Sequence, residues 1–147
     1  MLFPWSPSVG HPILEQQIER QAVKSAICHF DYHPINVMVE GDQLNGILDF
    51  SLATFADRRI DIGITQTFLD VGSLLYPMDS SHVKLLSNAW QEGYKSISGD
   101  FPLEPIFHAW AACYLLNRYT HYPLKHDNFP SFFNALEKYV NRLISEY

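Results

Sequence analysis

The sequence predicts an α+β domain that is mainly helical. Two β-prone runs at 36–40 and 44–50 flank the turn-forming segment Gly41-Asp42-Gln43, and together they predict a β-hairpin. Before the hairpin and over most of the chain after it, apolar residues recur at three- and four-residue spacing, which predicts helices. The chain has 147 residues, 47% of them hydrophobic, and is therefore long enough to bury a core without a disulfide or a metal.

The segment before the hairpin divides into two parts. Residues 1–12 contain three prolines and no regular period, so we expect an irregular lead-in. Residues 13–26 place apolar side chains on one stripe with polar residues between them, which predicts an amphipathic helix that ends just before Cys28. The stripe consists of Ile13, Leu14, Ile18 and Ala22.

The rest of the chain is predicted to be helical. We expect helices at about 61–76, 81–96, 103–120 and 130–146, separated by segments that contain proline or glycine. Ser80 or Ser81 is expected to cap the second of them. Since no internal repeat, low-complexity tract or change of composition divides the sequence, residues 1–147 are expected to form a single domain.

Composition and charge exclude several function classes. The net charge is −6, and the longest basic run is the pair Arg58-Arg59, so nucleic acid is not an expected partner. No apolar run is long enough to cross a bilayer and no cationic segment precedes the first apolar residues, so we expect a cytoplasmic protein that does not bind membranes. Cys28 and Cys113 are expected to be reduced core thiols.

Polar residues concentrate in the loop before the hairpin and at the end of its second strand. Because a hairpin folds back on itself, Asn36 and Asp49 are expected to be neighbours. Phosphoryl transfer needs a carboxylate that accepts the proton of an attacking hydroxyl, and oxygen ligands that hold Mg²⁺. Asp31 suits the first role, and Asn36 and Asp49 suit the second.

The same residues form a known pattern. His29, Asp31 and Asn36 complete the motif H-x-D-x-x-x-x-N, and Leu48-Asp49-Phe50 follows it at the end of the hairpin. Together they resemble the aminoglycoside phosphotransferase and choline-kinase-like family of small-molecule kinases. The resemblance implies the C-terminal lobe of a protein-kinase-like fold, ATP and Mg²⁺ as cofactors, and a hydroxyl group of a small molecule as the phosphoryl acceptor.

The resemblance also implies roles for residues around the catalytic aspartate. His29 would support the loop structurally, and Asp61, in a segment that resembles the family's stretch before the next helix, would brace the loop. His33 has two alternatives, a hydrogen bond within the loop or a contact to substrate. Asp57 has the alternative of a simple helix cap.

Some parts of the family pattern are replaced or missing. Phe30 stands where glycine is common, so we expect it to alter the loop backbone or to narrow access beside Asp31. The seven glycines form no G-x-G-x-x-G, and the only lysine before the loop, Lys24, falls in the predicted helix. An N-terminal nucleotide-clamping lobe is therefore expected to be absent and the isolated chain to be weakly active or inactive. The face toward that lobe is expected to be apolar and to favour self-association or docking of a separate N-terminal lobe.

Two other functions stay open at this point. The chain could be a non-catalytic interaction or oligomerisation module, or a metal-dependent hydrolase that uses His29, Asp31 and His33 as metal ligands. Pro34 favours a loop over the strand that the second alternative would need. The acidic net charge is compatible with a cationic acceptor, but the sequence does not specify the acceptor. The polar groups of the last helices that are able to contact an acceptor are His108, Asn117, Arg118 and His121.

Overall fold

A computed structural model describes residues 12–75 and 78–147 and confirms the α+β class with a mainly helical chain. Short 3-10 turns occupy Pro34–Asn36, Phe50–Leu52 and Gly72–Leu74. Apart from Pro12, the predicted lead-in lies outside the described residues. The helices and strands are α1 Pro12–Glu19, β1 Ser25–Cys28, β2 Val37–Glu40, β3 Gln43–Ile47, β4 Thr54–Asp57, α2 Arg58–Val71, α3 Ser80–Ser98, α4 Pro105–His121 and α5 Phe129–Ile144.

The core is built around the contact between α2 and α4. Eleven of the fourteen α2 residues are buried, and α4 buries Phe107, Trp110 and Leu115. A methyl group added at Gly63 would lie 2.8 Å from the Cβ of Ala111, so only glycine allows the two helices to approach this closely. Helices α1 and α5 pack on the other sides of α4.

The predicted helix over 13–26 is wrong in its second half. Helix α1 ends at Glu19, and residues 25–28 form β1, which pairs antiparallel with β4 from Ser25 opposite Asp57 to Cys28 opposite Thr54. Strand β4 was not predicted. Each residue of β1 pairs with a residue 26 to 32 positions further along the chain, and such a distant partner leaves little trace in the local hydrophobic period.

The hairpin and the four later helices are confirmed. Strands β2 and β3 pair from Val37 opposite Ile47 to Glu40 opposite Gln43, and each later helix begins within three residues of its predicted start. The predicted caps of α3 are wrong, because Asp79 is the N-cap and its carboxylate accepts hydrogen bonds from the backbone N–H groups of Ser81 and His82. None of the helices within the described ranges has the length and apolarity needed to cross a membrane.

The two cysteines are unpaired thiols, as predicted. Cys28 is fully buried, and burial raises the pKa of its thiol to about 12. Cys113 is half-buried, and burial raises the pKa of its thiol to about 11. Both side chains therefore act as small apolar residues and are poor nucleophiles near neutral pH.

A buried arginine joins three segments of the chain. Arg59 is 3% exposed, and its guanidinium donates to both carboxylate oxygens of Asp57, through Nε at 2.9 Å and Nη2 at 2.7 Å. It also donates to Gln21 and the carbonyl of Ala22 after α1, and to Glu104 before α4. Its guanidinium carbon lies 3.8 Å from the centre of the Phe107 ring.

The carboxylate of Asp57 has two further roles. It caps α2 by accepting from the backbone N–H of Arg59 at 3.0 Å, and it accepts from the backbone N–H of Lys24 at 3.0 Å. Hydrogen bonds from Arg59 and Lys24 outweigh burial and hold the pKa of Asp57 below its usual range. One ion pair thus sets where α2 begins and where β1 begins.

Several large apolar side chains are exposed on one face. Ile27 and Phe55 are cross-strand partners in β1 and β4 and are 70% and 73% exposed. Phe50 and Ile97 are also exposed and, with Ile27, line an open groove of about 390 Å³ between β1, the hairpin end and α3. We call Ile27, Phe50, Phe55 and Ile97 the apolar face. An exposed apolar surface was expected, whereas self-association stays a prediction.

The Arg59 ion pair predicts a large difference between two neighbouring arginines. Arg59→Leu leaves the buried Asp57 carboxylate without its cation and should lower the free energy of unfolding by about 3–5 kcal/mol. Arg58 pairs with Asp100 at the surface, so Arg58→Gln should cost less than about 1 kcal/mol. Urea unfolding measures both values, and equal losses in the two variants would contradict the structural role of Arg59.

Candidate functional site

The first turn of α2 holds the backbone of the loop between β1 and β2. Asp61 accepts the backbone N–H of His29 at 3.0 Å and that of Phe30 at 2.7 Å, one on each carboxylate oxygen. Burial raises the pKa of Asp61, and these two hydrogen bonds oppose the rise. The contact is the bracing contact that the family resemblance implies for this residue.

Phe30 keeps a backbone conformation that favours glycine. Its φ angle is 64°, in the left-handed region, where a residue with a side chain is strained by about 1–2 kcal/mol. The ring is buried and meets Tyr114 edge-on at 5.8 Å between ring centres. The ring is thus part of the core, and its burial together with the two Asp61 hydrogen bonds offsets the strain.

His29 connects the loop to the end of the hairpin. Its Nδ1 accepts from the backbone N–H of Asp31 at 3.3 Å, and its Nε2 lies 2.9 Å from the carbonyl oxygen of Leu48. The ring is buried and packs edge-on against Phe50 at 4.7 Å. With Nδ1 as an acceptor, Nε2 carries the proton and donates to Leu48, so both ring nitrogens are used in structural contacts.

Asp31, the predicted catalytic carboxylate, forms an ion pair with Arg118. Arg118 Nη1 donates to Oδ1 at 2.7 Å and Nη2 donates to Oδ2 at 3.1 Å. The side chains are 12% exposed for Asp31 and 25% exposed for Arg118. The sequence analysis listed Arg118 only among groups able to contact an acceptor. The pair was missed because it joins residues 87 positions apart, and no local pattern records such a contact.

His33 lies beside this ion pair. Its ring stacks on Phe68 with 4.5 Å between ring centres, and its Nδ1 accepts from the backbone N–H of Ile35 at 3.3 Å. Its Nε2 lies 3.6 Å from Asp31 Oδ1. Burial lowers the pKa of His33, so the ring is neutral at pH 7. The contact to Ile35 is a hydrogen bond within the loop, which was one of the two alternatives for His33.

Asn36 and Asp49 lie at the same end of the hairpin. The backbone N–H of Leu48 donates to the carbonyl of Asn36 at 2.8 Å, and the Asn36 side chain donates through Nδ2 to the carbonyl of Asp31 at 2.9 Å. Asp49 has a left-handed φ of 57° and an exposed carboxylate. Its Oδ1 accepts from the backbone N–H and the hydroxyl of Ser51, and these hydrogen bonds lower the pKa of Asp49.

The donor chemistry at this end of the hairpin fits Mg²⁺. Asn36 Oδ1 and Asp49 Oδ2 receive no hydrogen bond from the part of the chain that the structure describes. An amide oxygen and a carboxylate oxygen are hard ligands, and Mg²⁺ typically takes one or two such protein ligands and completes its shell with water and phosphate. These two residues are the ones that could hold the metal.

The alternative metal site at His29, Asp31 and His33 is not formed. Within 12–75 and 78–147, no three His, Cys, Asp or Glu side chains are grouped so that they could hold a metal ion. Both nitrogens of His29 and both carboxylate oxygens of Asp31 are used in protein contacts. His29, Asp31 and His33 therefore do not form the metal site that the hydrolase alternative requires.

One comparison with known proteins gives a match. Residues 11–81 match the model of the phosphotransferase enzyme family, which confirms the resemblance over this range. The matched range includes the loop that carries Asp31, the hairpin, Asp49 and Asp61, and it ends before Arg118. No curated protein and no solved structure matches the chain.

The left-handed conformation of Phe30 predicts an unusual order of stability. Phe30→Ala and Phe30→Gly both remove the buried ring, which should lower the free energy of unfolding by about 3–5 kcal/mol. At an ordinary position the alanine variant is the more stable, but here the glycine variant should be more stable than the alanine variant by about 1 kcal/mol. Denaturant unfolding of the two variants measures the difference.

Phe132 provides the matched control. It is fully buried in helix α5, where φ is helical, so Phe132→Ala should be more stable than Phe132→Gly by about 1 kcal/mol. The same order at both positions would show that residue 30 is not held in the left-handed region in solution.

Proposed function

From the family match over residues 11–81, we propose that this chain supplies the catalytic base and the metal ligands of an ATP-dependent phosphotransferase acting on a hydroxyl group of a small molecule. One observation carries the proposal. The Asn36 side chain donates to the carbonyl of Asp31, while Leu48 donates to the carbonyl of Asn36. These two hydrogen bonds join the loop of Asp31 to Asn36 and to the residue before Asp49, which supports a shared role for the three residues.

Asp31 would accept the proton of the acceptor hydroxyl. Each carboxylate oxygen has two lone-pair sites, and the paired contact with Arg118 uses one on each oxygen. One lone pair on each oxygen stays free for the hydroxyl. As the proton moves to Asp31, the acceptor oxygen forms its bond to the γ-phosphorus and the bond to the departing ADP oxygen breaks.

Asn36 and Asp49 would hold Mg²⁺ beside this carboxylate. Mg²⁺ held by these two residues would supply positive charge that stabilises the negative charge developing on the phosphates during transfer. Asp49 is fixed for this task by Ser51, which uses only Oδ1, and Asn36 is fixed by its Nδ2 hydrogen bond to the loop. In both residues the oxygen that would bind the metal is left free.

The chain alone is expected to turn over slowly. Its sequence has no G-x-G-x-x-G segment, and in kinases such a loop together with a strand-borne lysine positions the phosphates and stabilises their charge. Positioning and charge stabilisation are the two terms on which phosphoryl transfer depends. We therefore propose weak binding of Mg²⁺ and ATP to this half-site.

Binding of Mg²⁺ and ATP tests the proposal directly. With ligand at a hundred times its dissociation constant, the free energy of unfolding should rise by about 2.7 kcal/mol and the thermal midpoint by several degrees. Asp49→Asn should abolish the Mg²⁺-dependent part of the shift. Asp42→Asn, the same charge change at an exposed turn residue of the hairpin, should leave it unchanged. Equal shifts in the two variants would rule out Asp49 as a metal ligand.

A second candidate function is an interaction module, and the apolar face favours it. Ile27 and Phe55 form an exposed cross-strand pair, and most isolated domains do not expose large apolar side chains side by side. We propose that the apolar face pairs with a second copy of the chain.

Self-association can be measured by sedimentation equilibrium. The unmodified chain should show a concentration-dependent dimer, and Phe55→Ser should shift it to monomer. Leu85→Ser provides a control at an exposed leucine of α3 that is not part of the apolar face, and it should leave the dimer unchanged. A monomer at all concentrations would exclude this function.

A further inference from the structure

The guanidinium of Arg118 has unused hydrogen-bonding capacity. The paired contact with Asp31 uses one N–H of Nη1 and one of Nη2. The N–H of Nε and the second N–H of each Nη have no acceptor within the described residues. A quarter of the Arg118 side chain is exposed to solvent.

Arg118 balances the charge of Asp31. All ten Lys and Arg residues lie within the described ranges, and of these only Arg118 is in salt-bridge contact with Asp31. The carboxylate of Asp49 belongs to the neighbouring end of the hairpin, and its charge acts on His33 and Arg118. An ammonium group next to Asp31 would therefore meet a carboxylate that is already paired, with a guanidinium beside it.

From this geometry we infer that Arg118 is a specificity residue that directs the acceptor site toward a polyhydroxyl compound with an anionic oxygen group, such as a sugar acid. A hydroxyl of the acceptor would donate to a free lone pair of Asp31. The anionic group would accept from the free N–H groups of Arg118, and charge-assisted bonds of this kind are about twice as strong as neutral ones. This inference rests on the proposed function and adds a substrate class to it.

Three probes of similar size and different charge test the inference. Gluconate is anionic, glucose is neutral, and glucosamine is cationic at about pH 6.5. Titration of the whole chain, followed by NMR shifts of the loop amides, should give the order gluconate, glucose, glucosamine from tightest to weakest. We expect the dissociation constants of gluconate and glucosamine to differ roughly tenfold, a ratio that one charge-assisted contact can supply.

Substitutions at the Arg118–Asp31 ion pair should change the affinities of the three probes, each in a different way. Arg118→Gln removes the cation and leaves Asp31 unpaired, so glucosamine should become the tightest probe. Arg118→Lys keeps the charge but loses the two-pronged geometry, so the original order should persist with weaker gluconate binding. Asp31→Asn releases Arg118 and should strengthen gluconate binding.

Arg58→Gln is the matched control, because it removes an exposed arginine that pairs with Asp100 away from the loop, and it should keep the wild-type order. Tightest binding of glucosamine to the unmodified chain would overturn the inference. So would gluconate binding that is unchanged in both Arg118 variants, or no gluconate binding at all. Thermal midpoints show which variants fold. If Arg118→Gln does not fold, the gluconate affinity of Arg118→Lys tests the inference in its place.

The titrations contain neither ATP nor Mg²⁺, so they are independent of the nucleotide test. If gluconate binds through Arg118 and Asp49→Asn has no effect on nucleotide binding, the phosphotransferase proposal fails while the anion site stands. If the nucleotide test succeeds and glucosamine is the preferred probe, the phosphotransferase proposal stands and the acceptor class assigned here fails.

Discussion

The buried ion pair between Arg59 and Asp57 is the contact on which the remaining architecture depends. A buried guanidinium must have its donors satisfied, and three separate segments of the chain supply the acceptors: Asp57, the neighbours Gln21 and Ala22, and Glu104. Because the same carboxylate caps α2 and receives the N–H of Lys24, the start of the helix and the start of β1 are fixed together. Asp61 then lies one turn into α2, where it reaches the loop.

The loop that carries Asp31 is held from three directions. Asp61 binds its backbone from below, His29 and Asn36 connect it to the end of the hairpin, and Arg118 binds the carboxylate from α4. Asp61 and Arg118 are placed by helices α2 and α4, and Asn36 by the 3-10 turn at Pro34–Asn36, so the geometry does not depend only on the loop's own preferences. The two left-handed residues, Phe30 and Asp49, persist for the same reason, since the neighbouring hydrogen bonds fix both turns.

Short-range chemistry in the sequence predicted much of this structure. The Gly41-Asp42-Gln43 turn and the apolar spacing of the later helices were sufficient for the hairpin and for α2 to α5, because turn residues and helical periods are local properties. The motif residues were recognised because their types and fixed spacing, H-x-D-x-x-x-x-N followed by Leu48-Asp49-Phe50, are visible without any knowledge of strand pairing. The strand β1 was mistaken for helix because its partner β4 is remote, and Asp79 was overlooked as a cap in favour of the serines that follow it.

The distance along the chain between Asp31 and Arg118 has a consequence for biosynthesis. A polypeptide leaves the ribosome from its N-terminus, so Asp31 emerges 87 residues before its cation. Until α4 has been made, neither the Arg118 contact nor the α2–α4 packing exists, and the early chain exposes the apolar residues of α2 together with an unpaired Asp31. Premature termination before Arg118 would therefore yield a product with the complete H-x-D-x-x-x-x-N motif but without the counterion of Asp31 and without the packing that covers α2.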